Sequence, residues 1–185
     1  MPIRGTDIPA PVRKFAATVP EGDWAQMETP DFIGINLYNG TMVDGEGREA
    51  TLHSGFPRTA IKWPITPEVM HYGPLYLYKR YNLPMIISEN GLSCNDIVFL
   101  DGQVHDPKRI DFLHRYLTEL SRAIEEGAPV MGYLQWSFLD NFEWASGYDE
   151  RFGIVYVDYQ SLKRIPKDSA RWYAQVIETN GDCLN

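Results

Sequence analysis

The sequence is poor in what a disulfide scaffold, a metal site or a membrane span would require. Two cysteines in 185 residues, Cys94 and Cys183, are too few for a cross-linked framework and suggest a reducing, cytoplasmic setting. No run approaches the roughly eighteen apolar residues that cross a bilayer. The opening Met1-Pro2-Ile3-Arg4-Gly5 has no apolar stretch, so no signal peptide is expected. The four histidines, at 53, 71, 105 and 114, form no H-x-x-x-H or H-E-x-x-H pair, so a metal site is not expected. There is no glycine-rich phosphate loop, and no cofactor is expected. Basic charge is also scarce. Seventeen Lys and Arg against 25 Asp and Glu leave a net charge of −8, which argues against nucleic acid or an anionic membrane surface as partner.

What is present is a globular balance, 44% hydrophobic and 23% charged, long enough for one domain with a real core. Aromatics are abundant: eleven Tyr, eight Phe and five Trp. Such rings fill cores, and their flat faces also stack on the C–H faces of sugars.

Residues 1–30 are rich in Pro and Gly without a period and read as an irregular segment of a single domain over 1–185. A short apolar strand is expected over 31–38, followed by a long loop over 40–63. Thr66-Pro67-Glu68 opens a helix, with Thr66 as N-cap and Pro67 at the first position. Gly73-Pro74 is expected to break it, since an interior proline costs roughly 3 kcal/mol, before a second stretch reaches about Asn82. Residues 83–88 form a continuous apolar strand that should be buried on both faces. Asp106-Pro107 opens the clearest helix, with Ile110, Leu113, Leu117, Leu120 and Ile124 on one face and Gly127 closing it. A third strand follows over 129–135, a short arm over 153–158, and a last helix over 168–178. Strands alternating with helices predict an α/β fold with a parallel sheet, whose active site lies at the carboxyl ends of the strands.

Two such ends carry chemistry. Ile86 to Gly91 read Ile-Ile-Ser-Glu-Asn-Gly, and Trp136 to Trp144 read Trp-Ser-Phe-Leu-Asp-Asn-Phe-Glu-Trp. A carboxylate at one strand end, with indoles and a second carboxylate at the next, is what sugar chemistry requires. Glu89 can act as a nucleophile on an anomeric carbon, or simply cap its loop through Asn90 and Gly91. Glu143 can accept hydrogen bonds from two sugar hydroxyls, or pair with Arg151. Trp136 and Trp144 bracket the acids as a binding wall, or pack in the core. Tyr38 can donate to Glu89 and hold its pKa low, or bond to backbone. Asp140 and Asn141 read as loop-shaping residues.

Together with Asp-Phe-Ile-Gly-Ile-Asn-Leu-Tyr at 31–38 and Arg-Phe-Gly at 151–153, these segments resemble the C-terminal part of glycoside hydrolase family 1, the retaining β-glucosidases. The resemblance runs from about Gly22 to Asn180. It implies a (β/α)8 TIM barrel, with strand 6 at 32–38, strand 7 at 84–89 and strand 8 at 130–136. It implies Glu89 as nucleophile and Tyr38 as its hydrogen-bond partner. It gives Glu143 the role of binding two glycone hydroxyls, with Trp136 stacking beneath the sugar and Trp144 beside it. Phe152 matches a glycone-pocket aromatic, Trp63 a position lining the aglycone side, and Asn36 the strand-6 motif. A carboxylate at 143 would repel a phosphate dianion, so an unphosphorylated glucoside, galactoside or fucoside is the implied substrate.

The sequence departs from the family in one respect that bears on activity. The family's general acid/base is the Glu of an Asn-Glu-Pro segment ending strand 4, and no Asn-Glu-Pro occurs here. The pocket residues of strands 1 to 3 are missing too. A retaining glycosidase needs two carboxyls about 5 Å apart, so this chain is expected to be incomplete alone. It would self-associate or depend on a complementary N-terminal chain, and the alternative is a carbohydrate-binding fragment without turnover.

Overall fold

A computed structural model describes residues 13–20, 22–23 and 30–184. Most of the segment expected to be irregular, 1–30, lies outside these residues. Its described part differs from expectation in holding one helical turn, α1 (Arg13–Ala16).

Three parallel strands make up the central sheet, β1 (Ile33–Asn36), β2 (Met85–Asn90) and β3 (Val130–Gln135), in the order β1-β2-β3. Three helices cover one side: α2 (Val69–Tyr81), α3 (Pro107–Glu125) and α4 (Asp168–Glu178). The core lies between the layers, where Met70, Ile87, Leu92, Phe112, Leu113, Tyr116, Leu117, Leu120 and Val176 pack together. Each large apolar side chain buried there contributes about 1.5–3 kcal/mol. A short antiparallel hairpin, β4 (Val155–Val157) with β5 (Arg164–Pro166), precedes α4.

Gly73-Pro74 does not break α2, contrary to expectation; the helix runs through Pro74 without interruption. Tertiary packing offsets the lost hydrogen bond. Pro74 is buried, and Gly73 lets Leu37 approach to 3.2 Å from where a Cβ would stand. The start also shifts, because the Thr66 hydroxyl accepts from the Gly40 amide at 2.9 Å instead of capping the helix.

On α3 the buried face is rotated from the predicted stripe. Phe112, Leu113, Tyr116, Leu117, Leu120 and Ala123 are buried, together with Arg109, while Ile124 is 46% exposed. Gly127, at φ +101°, closes the helix as expected.

Strand β2 differs too. Met85 and Ile87 are fully buried toward the helices, but Ile86 and Ser88 on the other side are only half-buried. Nothing among the described residues covers that second face, so the strands form an open sheet and do not close into a barrel. Phe32 and Leu134 are correspondingly 47% and 57% exposed.

Candidate active site

The chemistry-bearing side chains gather where the strands end. Pairing between β1 and β2 slips between Ile35 and Asn36, so that Asn36 lies opposite Glu89; β2 and β3 slip between Ile87 and Asn90. Such bulges re-aim side chains at sheet rims, and here they fall on the residue that matters. The Glu89 carbonyl accepts from the Leu37 amide at 2.8 Å, and its carboxylate accepts from the Tyr38 hydroxyl at 2.8 Å. Burial, then this hydrogen bond and the charges of Glu89 and Glu143, push the Tyr38 pKa well above the usual tyrosine value. Tyr38 therefore stays a donor, and its hydroxyl lies in the field of both carboxylates.

Asn90, fully buried, ties the three strands together: it donates to the Leu37 carbonyl at 2.7 Å and accepts from the Tyr133 hydroxyl at 2.7 Å. Its own carbonyl takes the Trp136 amide at 2.7 Å. Gly91 allows this closeness, since a Cβ there would meet the Trp136 carbonyl oxygen at 1.8 Å. The Trp136–Ser137 peptide is cis.

Beyond β3, the Trp136 indole N–H points to the Glu143 carboxylate at 3.4 Å. Arg151 pairs with Asp140 at 2.6 Å, so the alternative Glu143–Arg151 pair is not formed. Trp63 and Phe152 stand edge-on to Tyr38, with ring centroids at 5.1 and 6.3 Å, and 6.0 Å from each other. Asn36 does not reach Glu89; its amide oxygen accepts from Ser88 at 2.8 Å. Trp144, next in the chain to Glu143, is 78% exposed. Seven of the eight expected residues therefore sit together or at the adjoining strand ends, and Trp144 follows Glu143 in the loop beyond β3.

Sequence reasoning missed a network of buried ion pairs tied to the loops that follow β2 and β3. Arg109 and Lys167 are fully buried cations, bonded to Asp96, Asp106 and Asp140. Arg109 carried a signal, since it falls on the apolar stripe of α3 with Leu113, Tyr116 and Leu120. Asn90 carried none beyond its place after Glu89. Cys94 is not a second nucleophile, because burial pushes its thiol up to about 11. No group of three His, Cys, Asp or Glu side chains among the described residues is placed to hold a metal ion.

The sequence model of Glycosyl hydrolase family 1 matches residues 12–182. The chain belongs to this family. Among its family-1 relatives, beta-glucosidase A of Thermotoga maritima is 43% identical over 97% of this chain, and the match covers 43% of the relative. A bifunctional beta-D-glucosidase/beta-D-fucosidase of Bifidobacterium breve is 40% identical over 85% of the chain and 39% of its own length. In three dimensions, the Thermotoga maritima beta-glucosidase in complex with glucoimidazole superposes with a TM-score of 0.84 at 42% identity, over 97% of this chain and 42% of that one. This family-1 chain thus spans less than half the length of the relatives it matches. Those solved structures are TIM barrels, and the open sheet described above corresponds to part of one.

Proposed function

We propose that this chain carries the nucleophile side of a retaining β-glycosidase, supplying strands 6 to 8 of a (β/α)8 barrel. The observation that carries this reading is the Tyr38–Glu89 hydrogen bond, within the field of Glu143 and walled by Trp63 and Phe152. Tyr38 holds one oxygen of Glu89, leaving the other to attack the anomeric carbon. The bond from that carbon to the leaving oxygen breaks as the new ester forms, and the leaving oxygen needs a proton. Water then attacks the glycosyl-enzyme, gives up a proton and frees Glu89. Both protons pass through a second carboxyl, which no Asn-Glu-Pro segment provides here. Glu143, to which the Trp136 indole donates, accepts from glycone hydroxyls in this reading, and its charge favours unphosphorylated glucosides, galactosides or fucosides.

The test is hydrolysis of p-nitrophenyl β-D-glucoside by the chain alone, by the chain with polypeptide carrying strands 1 to 5 and Asn-Glu-Pro, and by Glu89→Gln in both settings. Turnover is expected only in the complemented wild type. Activity surviving in Glu89→Gln would overturn the nucleophile assignment. A second reading, a sugar-binding fragment without turnover, is favoured by the missing acid/base alone. Saturable glucose binding with no hydrolysis after complementation would support it instead.

A further inference from the structure

Three cations and three anions form a closed network, and Lys167 bridges the loop after β2 to the loop after β3 through two buried carboxylates. Lys167, at the junction of β5 and α4, is fully buried; its ammonium donates to Asp96 at 2.6 Å and to Asp140 at 2.9 Å. Asp96 lies seven residues after Glu89, in the loop that β2 feeds, and Asp140 lies three residues before Glu143, in the loop that β3 feeds. Both aspartates are nearly or wholly buried, with side chains 4% and 0% exposed. Asp140 also accepts from Arg151 at 2.6 Å and from the Gly153 and Val157 amides at 3.0 and 3.3 Å. Asp96 also accepts from Arg109 at 2.7 Å, and Arg109 in turn binds Asp106, the Leu92 carbonyl and the Arg151 carbonyl. The Lys167 amide is held by the Ile154 carbonyl at 2.9 Å, which fixes the stem of the clamp.

We propose that Lys167 is a positioning residue that sets the separation of Glu89 and Glu143 by clamping Asp96 to Asp140. Without the ammonium, two buried carboxylates of like charge face each other, and the loop that follows Glu89 moves away from the loop that holds Glu143. The consequence for a sugar rests on the glycosidase reading, while the clamp itself does not.

Substitutions at Lys167, Asp96 and Glu143 test it in the full chain. Lys167→Met removes the clamp; Asp96→Asn with Lys167→Met also removes the stranded charge, so it folds if the single variant does not. The first readout needs no ligand. Amide hydrogen exchange at Cys94 and Asp140, which bond to Arg151 and Val155, is expected to quicken by about tenfold or more, while that of Leu113 and Leu117 on α3 stays unchanged. Lys167→Arg, which keeps the charge, is expected to restore slow exchange. Unchanged exchange at either loop amide in the folded variants overturns the proposal. The second readout is the affinity for 1-deoxynojirimycin, a glucose-shaped cation, with Glu143→Gln introduced into each background. With the clamp intact, Glu143→Gln is expected to weaken binding by about tenfold, and without it by less than about twofold, because one ring no longer spans both groups. An equal loss in both backgrounds also overturns the proposal. Faster loop exchange in a chain that never binds the iminosugar, even when complemented, upholds the clamp and rejects the glycosidase reading.

Discussion

Tyr38 shows how much of the site depends on one hydroxyl. Its pKa lies above the usual tyrosine value because it is buried against Glu89, so the proton stays on the phenol and the bond keeps its direction. Tyr38→Phe removes one hydrogen bond to a charged group, worth about 1.5–3 kcal/mol. In the complemented enzyme, kcat/KM should fall about ten- to a hundredfold with little change in thermal stability. An unchanged kcat/KM would show that Glu89 is held by something else. Gly91 matters for the opposite reason, the absence of atoms. A methyl there collides with the Trp136 carbonyl, which is backbone and cannot swing away. Gly91→Ala should cost about 1–3 kcal/mol in urea unfolding and alter the near-ultraviolet signal of the tryptophans. A wild-type midpoint would mean that the strand ends are looser than described.

Among the elements, α3 is the one the rest packs on. Leu113 is fully buried between sheet and helices, so Leu113→Ala should cost about 2–5 kcal/mol, read as a lowered denaturant midpoint. A loss under about 1 kcal/mol would place Leu113 outside the core. The loop before α3 is pinned to α4 by a titratable contact. His105 bridges Asp101 at 3.0 Å and Asp168 at 2.6 Å, and hydrogen bonds to Asp101 and then Asp168 raise its pKa above the ordinary 6.5. A raised folded pKa means that the stabilisation is fully present below 6.5 and disappears as pH rises through the folded value. The melting-temperature gap between wild type and His105→Asn should therefore be widest on the acid side of 6.5, while the aspartates remain ionised, and close in alkaline buffer. A gap independent of pH would rule the contact out.

For the whole molecule, the decisive feature is the uncovered side of the sheet. Half-buried Ile86 and exposed Leu134 lie on that side, and the outer edges of β1 and β3 are unpaired among the described residues. Open edges and apolar surface recruit other chains. The chain alone should elute as a self-associated species in light-scattering chromatography, and Leu134→Lys should shift it toward monomer. A monodisperse wild-type monomer would show that the open face is tolerated in water.

Much of this was legible in the linear order of residues. Alternating apolar runs and amphipathic stretches gave the βα order, because burial must follow the period of each element. The motifs at 86–91 and 136–144 marked Glu89, Glu143 and Trp136, because strand ends of a parallel sheet meet at one rim. Other features arose only from packing. The unbroken α2 depends on Pro74 being buried. The rotated face of α3 accommodates Arg109 because it pairs with Asp106 at the start of its own helix and with Asp96, thirteen residues away. Lys167 meets Asp96 over a separation of 71 residues, a contact without local pattern. Local periodicity reports which face is apolar. It cannot report which distant charge will be waiting when a cation is buried, and that pairing bears on how the loops after β2 and β3 sit against each other.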